Sequence, residues 1–185
     1  MVPKQSRKPD PSTPPVGRTE GGIERVERAS KSGGQEPAHV LIRVKSESGQ
    51  TFAQHGGIIA AKGTAVLGKI GQPLGQKFIN ELNDQVSRGL DTYLFLTTRE
   101  GWNGPYVTYK CRLQHTDTQL PDSQLHLVPK YYSREYPSIK TWFQISTMDK
   151  LSRSEMNRIF VLSSGREIMS VVKSSAVVFR VGFRR

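Results

Sequence analysis

The chain changes character at Ala38, and that break limits what can fold. Residues 1–37 hold six of the eleven prolines, five of the seventeen glycines and no aromatic residue. Such a stretch buries too little apolar surface to offset the entropy of ordering it. Its seven basic side chains (Lys4, Arg7, Lys8, Arg18, Arg25, Arg28, Lys31) face five acidic ones, leaving only +2. Residues 1–37 therefore read as a disordered Pro/Gly-rich tail, and 38–185 as a single folded domain.

From Ala38 the apolar residues recur with the periods of regular structure. His39–Ser46 alternates Val40, Ile42 and Val44 with Leu41, Arg43 and Lys45, the signature of a half-buried strand. Gly57–Ile70 reads as one or two short strands broken by glycines. Pro73 then precedes a helix with the stripe Phe78, Ile79, Leu82 and Val86, closed by Gly89. Asp91–Thr98 reads as a buried strand, Glu100–Pro105 as a turn, and Tyr106–Leu113 as the returning strand. His115–Pro137 is irregular, with prolines at 121, 129 and 137, and Ile139–Ser146 is a further strand. Two short helices are expected next, opened by the capping boxes Ser152-x-x-Glu155 and Ser164-x-x-Glu167. Ala176–Phe183 closes the chain as a strand. The fold class is α+β, with six to eight short strands and two or three helices.

Composition narrows the function classes. Cys111 is the single cysteine, so neither an internal disulfide nor a zinc site built on two cysteines is available. No apolar run exceeds four residues, against the ~18 a spanning helix needs. The first thirty residues carry no secretory apolar region, so a cytoplasmic protein is expected, or a nuclear one if eukaryotic. The net charge is +11, and residues 38–185 hold twenty Lys/Arg against eleven Asp/Glu. The surplus sits on the folded part and suggests a polyanionic partner, most simply nucleic acid.

Two catalytic readings weaken on inspection. Gly63–Ile70 (GTAVLGKI) nearly matches a phosphate-binding loop, but Ile70 stands where a hydroxyl must hold magnesium. The acidic-x-Lys triplet common in metal-dependent nucleases is absent from the chain, and His39, His55, His115 and His126 are scattered. Cys111 falls on the Val107/Tyr109/Leu113 side of its strand and reads as a buried thiol. No cofactor and no metal are expected.

Aromatic placement is the positive signal. Ten of the fifteen aromatics fall between Tyr93 and Phe143, interleaved with Arg99, Lys110, Arg112, Lys130, Arg134 and Lys140. Phe95 and Phe143 read as core. Trp102, in a glycine-flanked turn, reads as a lid or as a platform for a base. Trp142 alternates with Thr141, Phe143 and Ile145 and so points to solvent or a pocket if those residues are core. The Tyr131-Tyr132 pair lies in a loop, where it can close over a ligand. Rings of this kind stack on unpaired bases while Lys and Arg hold phosphates.

The order of elements resembles the PUA-like superfamily, and within it the EVE-type domains related to YTH readers. The resemblance spans Val40–Phe183 and rests on Thr64–Ile70 leading to a helix, Asp91–Leu96, Pro105–Tyr109, Ile139–Phe143 and the two capped helices. It implies a mixed β pseudo-barrel with a basic rim, and a pocket in which an aromatic cage holds an extruded or modified base. By position the cage would use Trp102 and Trp142 with Tyr106 or Tyr131/Tyr132. The first strand departs from the pattern, carrying Leu41 and Ile42 where EVE domains often have an aromatic.

The function expected is a non-catalytic nucleic-acid-binding module, DNA or RNA, with no membrane contact. Lys69, Lys110, Arg112, Lys140 and Arg180 would neutralise phosphates. Two alternatives stay open: a protein-interaction or assembly factor docking through the tail, and a metal-dependent nuclease or processing enzyme.

Overall fold

Long strand β4 (Tyr106–Asp117) is the spine of the sheet, because three other strands pair with it. A computed structural model describes residues 36–44, 49–100, 104–172 and 178–184. The chain divides into the units Met1–Gly34 and Gln35–Arg185, and all described residues belong to the second. Of the tail expected at residues 1–37, residues 1–35 lie outside the described residues.

Within that unit β1 (His39–Arg43) leads to α1 (Gly49–Lys62), β2 (Ala65–Ile70) and α2 (Gln76–Ser87). Strand β3 (Tyr93–Arg99) returns as β4, closed by the Glu100 N–H donating to the Pro105 carbonyl at 3.0 Å. Three 3-10 turns, Asp122–Leu127, Lys130–Arg134 and Tyr136–Ser138, fill the irregular segment. Then come β5 (Ile139–Ile145), β6 (Asp149–Lys150), α3 (Arg153–Met156), β7 (Ile159–Val161), α4 (Ile168–Val171) and β8 (Val178–Phe183).

These strands form one mixed sheet in the order β2-β5-β4-β3-β1-β8-β7, with β6 also on β4. Residues Tyr106–Arg112 of β4 pair with β3, and Leu113–Asp117 pair with β5 across a bulge between Leu113 and His115. An extra residue of this kind bends its strand locally. Among the described residues only β1 and β3 run parallel, joined through α1, β2 and α2. The architecture is α+β with an open sheet, since β2 and β7 end the strand order and do not pair with each other.

Three apolar clusters hold the layers together. Val40, Ile42, Leu94, Leu96, Cys111, Leu113, Phe143 and Ile145 face α1 and α2, where Phe52 and Leu82 are buried. On the opposite face Leu41, Phe95 and Val181 pack under Leu151, Met156, Ile159 and Ile168. A third cluster joins Val66, Ile139 and Trp142 to Leu127 and Tyr132 of the 3-10 turns. Because helices or turns cover both faces, β1 is buried at His39–Ile42 rather than half-buried as its alternation suggests.

Helix α2 is fastened by side-chain amides as well as by Ile79 and Leu82. The Ala38 N–H donates to Gln85 Oε1 at 2.7 Å, and Gln85 Nε2 donates to the Ala38 carbonyl at 2.7 Å. Asn83 does the same for Thr116, with bonds of 2.9 and 2.8 Å. Each amide imitates the backbone of a neighbouring strand and completes the ladder where no strand lies.

Two expectations need correction. Residues 57–62 are helical, not strand: Phe52, Ile58 and Ile59 lie on the sheet, and burying that stripe outweighs the weak helix propensity of Gly56-Gly57. Ser152 forms its capping box with Glu155, but Ser164 caps no helix; Glu167 is the N-cap of α4, and the short strand β7 lies between the two helices.

Cys111 is fully buried, and burial followed by the Asp149 charge pushes its thiol well above the usual range. A thiol reagent is therefore expected to label native protein only at the rate of global opening. Labelling kinetics in increasing urea check this, and rapid labelling without denaturant would contradict it.

Candidate nucleic-acid interface

Strand β2 lies at one end of the sheet, so the backbone groups on its outer edge need partners. The Tyr132 hydroxyl supplies two at once, accepting from the Gly68 N–H at 3.0 Å and donating to the Gly68 carbonyl at 3.0 Å. His55 Nε2 lies 3.2 Å from the Val66 carbonyl, so that nitrogen carries the proton. Gly68 itself leaves room for the rings, because a Cβ there would lie 2.7 Å from Ile139 Cδ1 and 3.0 Å from the Trp142 ring.

This arrangement moves several expected ligand contacts into the core. Trp142 does alternate away from Phe143, yet it is only 5% exposed, because the 3-10 turns cover that face. Tyr132 is buried against it, with ring centroids 6.1 Å apart, and Tyr131 is half-buried at 4.3 Å from Tyr132. The three rings form a packed wall, not a cage open to a base. Lys69 is likewise buried, its ammonium donating to the carbonyls of Gln72 and, at 3.5 Å, Ile70. Burial lowers its pKa from the ordinary lysine value, and it fastens the loop before α2. Its ammonium is engaged by the chain's own carbonyls.

The other named residues lie on the surface in different states. Arg180 is ion-paired with Glu81 and lies over the Phe78 ring, tying β8 to α2. Arg112 pairs with Asp91 at 3.2 Å, and both remain about half exposed. Lys140 is exposed and donates to the Pro137 carbonyl at 3.1 Å. Tyr106 is half-buried beneath the Arg99 guanidinium, 4.9 Å from its centroid. Trp102 lies outside the described residues.

What the structure brings together is a group of cations held by rings. Lys110 Nζ lies 5.2 Å from the centroid of Tyr93 and 5.7 Å from that of Phe183. The Arg158 guanidinium lies 5.0 Å from Phe183, and the Tyr93 and Phe183 centroids are 6.2 Å apart. Arg184 lies 4.9 Å from the Phe160 centroid. Among the described residues none of Lys110, Arg158 and Arg184 has a carboxylate oxygen within 4.0 Å. Glu155, whose carboxylate feels both Lys110 and Arg158, is engaged by the Ser152 N–H and hydroxyl at 2.8 and 2.7 Å. A ring orders a cation while leaving its charge available to an outside anion, which a carboxylate partner does not.

Arg158, Arg184, Phe160 and Phe183 were not singled out by sequence reasoning. A signal was present, since residues 151–185 carry seven Lys/Arg against Glu155 and Glu167 alone.

The loop resembling a phosphate cradle is dismantled by the fold. Gly63 follows the end of α1, Gly68 lies within β2, and Lys69 is turned inward. Among the described residues no three His, Cys, Asp or Glu side chains gather as metal ligands, and no helix is long and apolar enough to cross a membrane. Comparison with protein families, curated proteins and solved structures finds no match to the chain.

Proposed function

We propose that the chain is a non-catalytic nucleic-acid-binding module with a PUA-like arrangement of its α+β core. The observation that supports this reading is Lys110 held over Tyr93 and Phe183, beside Arg112 and Arg158, with no carboxylate oxygen of the described residues within 4.0 Å of Lys110 or Arg158. A polyanion gains from such cations, because they are ordered before it arrives and are not closed into an ion pair. The interface lies on the sheet face that carries Tyr93 and Phe183, rather than around Trp142, Tyr131 and Tyr132.

Fluorescence anisotropy with short labelled DNA and RNA oligonucleotides tests the reading. Log affinity is expected to fall linearly with log salt, and Lys110→Gln to make that slope shallower by roughly 0.7–0.9. Binding that does not respond to salt would defeat the proposal.

A further inference from the structure

The outer end of the β7–β8 pair carries a guanidinium on each face, and this says more about the partner. Ile159 pairs with Phe183, and Phe160 with Gly182, so consecutive positions point to opposite sides of the ribbon. Phe183 lies on the side of the Leu41/Phe95/Val181 cluster, and Phe160 on the other. Arg158 is stacked on Phe183 and Arg184 on Phe160, so the two charges flank the end of the ribbon.

Backbone bonds fix both arginines in register. Arg158 Nε donates to the Arg184 carbonyl at 2.6 Å, and the Arg184 N–H donates to the Arg158 carbonyl at 3.0 Å. Gly182 brings Phe160 flat against the strand, since a Cβ there would lie 2.4 Å from Phe160 Cζ. Phe160 and Phe183 are both half-buried, so part of each ring reaches the surface beside its cation.

Given the nucleic-acid reading, we infer that the partner is a single strand, gripped at the β7–β8 end by Arg158 on one face and Arg184 on the other. A guanidinium takes a phosphate with two parallel N–H donors, and a neighbouring partly exposed ring offers a face to an unpaired base. A single strand can turn around the end of a ribbon to meet both arginines. A duplex keeps its base faces stacked internally and is stiff over ~150 base pairs, so it reaches one side only.

Anisotropy on the full chain, with a short oligonucleotide as single strand and as duplex of the same sequence, tests this. The single strand is expected to bind at least roughly tenfold more tightly. Arg158→Gln and Arg184→Gln should each make its salt slope shallower by about 0.7, and the double variant by about twice that. Phe160→Leu keeps the charge of Arg184 but removes its ring, and should weaken single-strand binding with the slope nearly unchanged. Lys62→Gln, at the end of α1, should match the parent, and a urea midpoint for each variant confirms folding.

Oligonucleotide binding that persists in the folded double variant with parental affinity and slope would overturn the grip while leaving the nucleic-acid reading intact. Equal affinity for single strand and duplex would overturn the single-strand assignment. No salt-dependent binding of any oligonucleotide by the parent would overturn both readings. Competition by polyglutamate as effective as that by oligonucleotide would redirect the surface to an acidic protein.

Discussion

Replacing Gln85 with leucine is expected to destabilise the fold by about 2–5 kcal/mol, a large share of the ~5–15 kcal/mol that holds a domain together. The side chain is 7% exposed and serves Ala38, which is 1% exposed, through one bond to its N–H and one to its carbonyl. Leucine fills most of the volume but leaves both backbone groups buried without partners, each at ~1–3 kcal/mol. The loss falls at the entrance to β1, whose neighbours are β3 and β8, so the damage reaches the centre of the sheet. Asn83→Ala removes the same pair of bonds from Thr116, but Asn83 is half-buried and water can replace part of what is lost. Its expected effect is about half as large. Urea unfolding checks both, as a lower midpoint at unchanged slope. A Gln85→Leu midpoint within error of the parent would mean that the amide bonds add nothing.

The same two amides show why part of the fold was legible and part was not. The stripe Phe78, Ile79, Leu82 and Val86 announces α2, but no local pattern says that Gln85, at the margin of that stripe, must reach Ala38. Strand alternation correctly separated Trp142 from Phe143. It could not show that residues 122–138, eleven of them polar or proline, would return over the far face as 3-10 turns. Solvent exposure is decided by what covers a face, and that information lies elsewhere in the chain. Gly57-Ile58-Ile59 is the reverse case, where local pattern pointed to strand and the sheet surface imposed a helix.

For the candidate site the division is similar. Lys110 and Arg112 were legible because they interleave with aromatics on one strand. Arg158, Phe160, Phe183 and Arg184 come from two chain segments that meet only when β7 pairs with β8. Phe160 looks out of place beside its strand neighbours until Gly182 is seen opposite it.

Tyr132→Phe separates the structural reading of the aromatic wall from a ligand-binding one. Removing the hydroxyl leaves the Gly68 N–H and carbonyl without their partner, and the expected loss is about 2–4 kcal/mol. Among fully folded molecules oligonucleotide affinity should stay at the parental value, because the ring is 4% exposed and lies in the Val66/Ile139/Trp142 cluster. The variant should also alter the alkaline limb of stability. Burial, then the Tyr131 charge, raises the Tyr132 pKa above its ordinary 10.0, so the folded state keeps a proton that the unfolded state releases. The folded state then binds more protons above that pH, and stability falls as pH rises. Cys111, raised from 9.0, adds to the same limb from a slightly lower pH. Urea midpoints measured from pH 7 to 11 should decline for the parent, and less steeply above pH 10 for Tyr132→Phe. Cys111→Ala should remove the earlier part of the decline, so the two contributions are resolved by where each variant departs from the parent. A Tyr132→Phe protein as stable as the parent but unable to bind oligonucleotide would return Tyr132 to the ligand site and undo its assignment to the β2 edge.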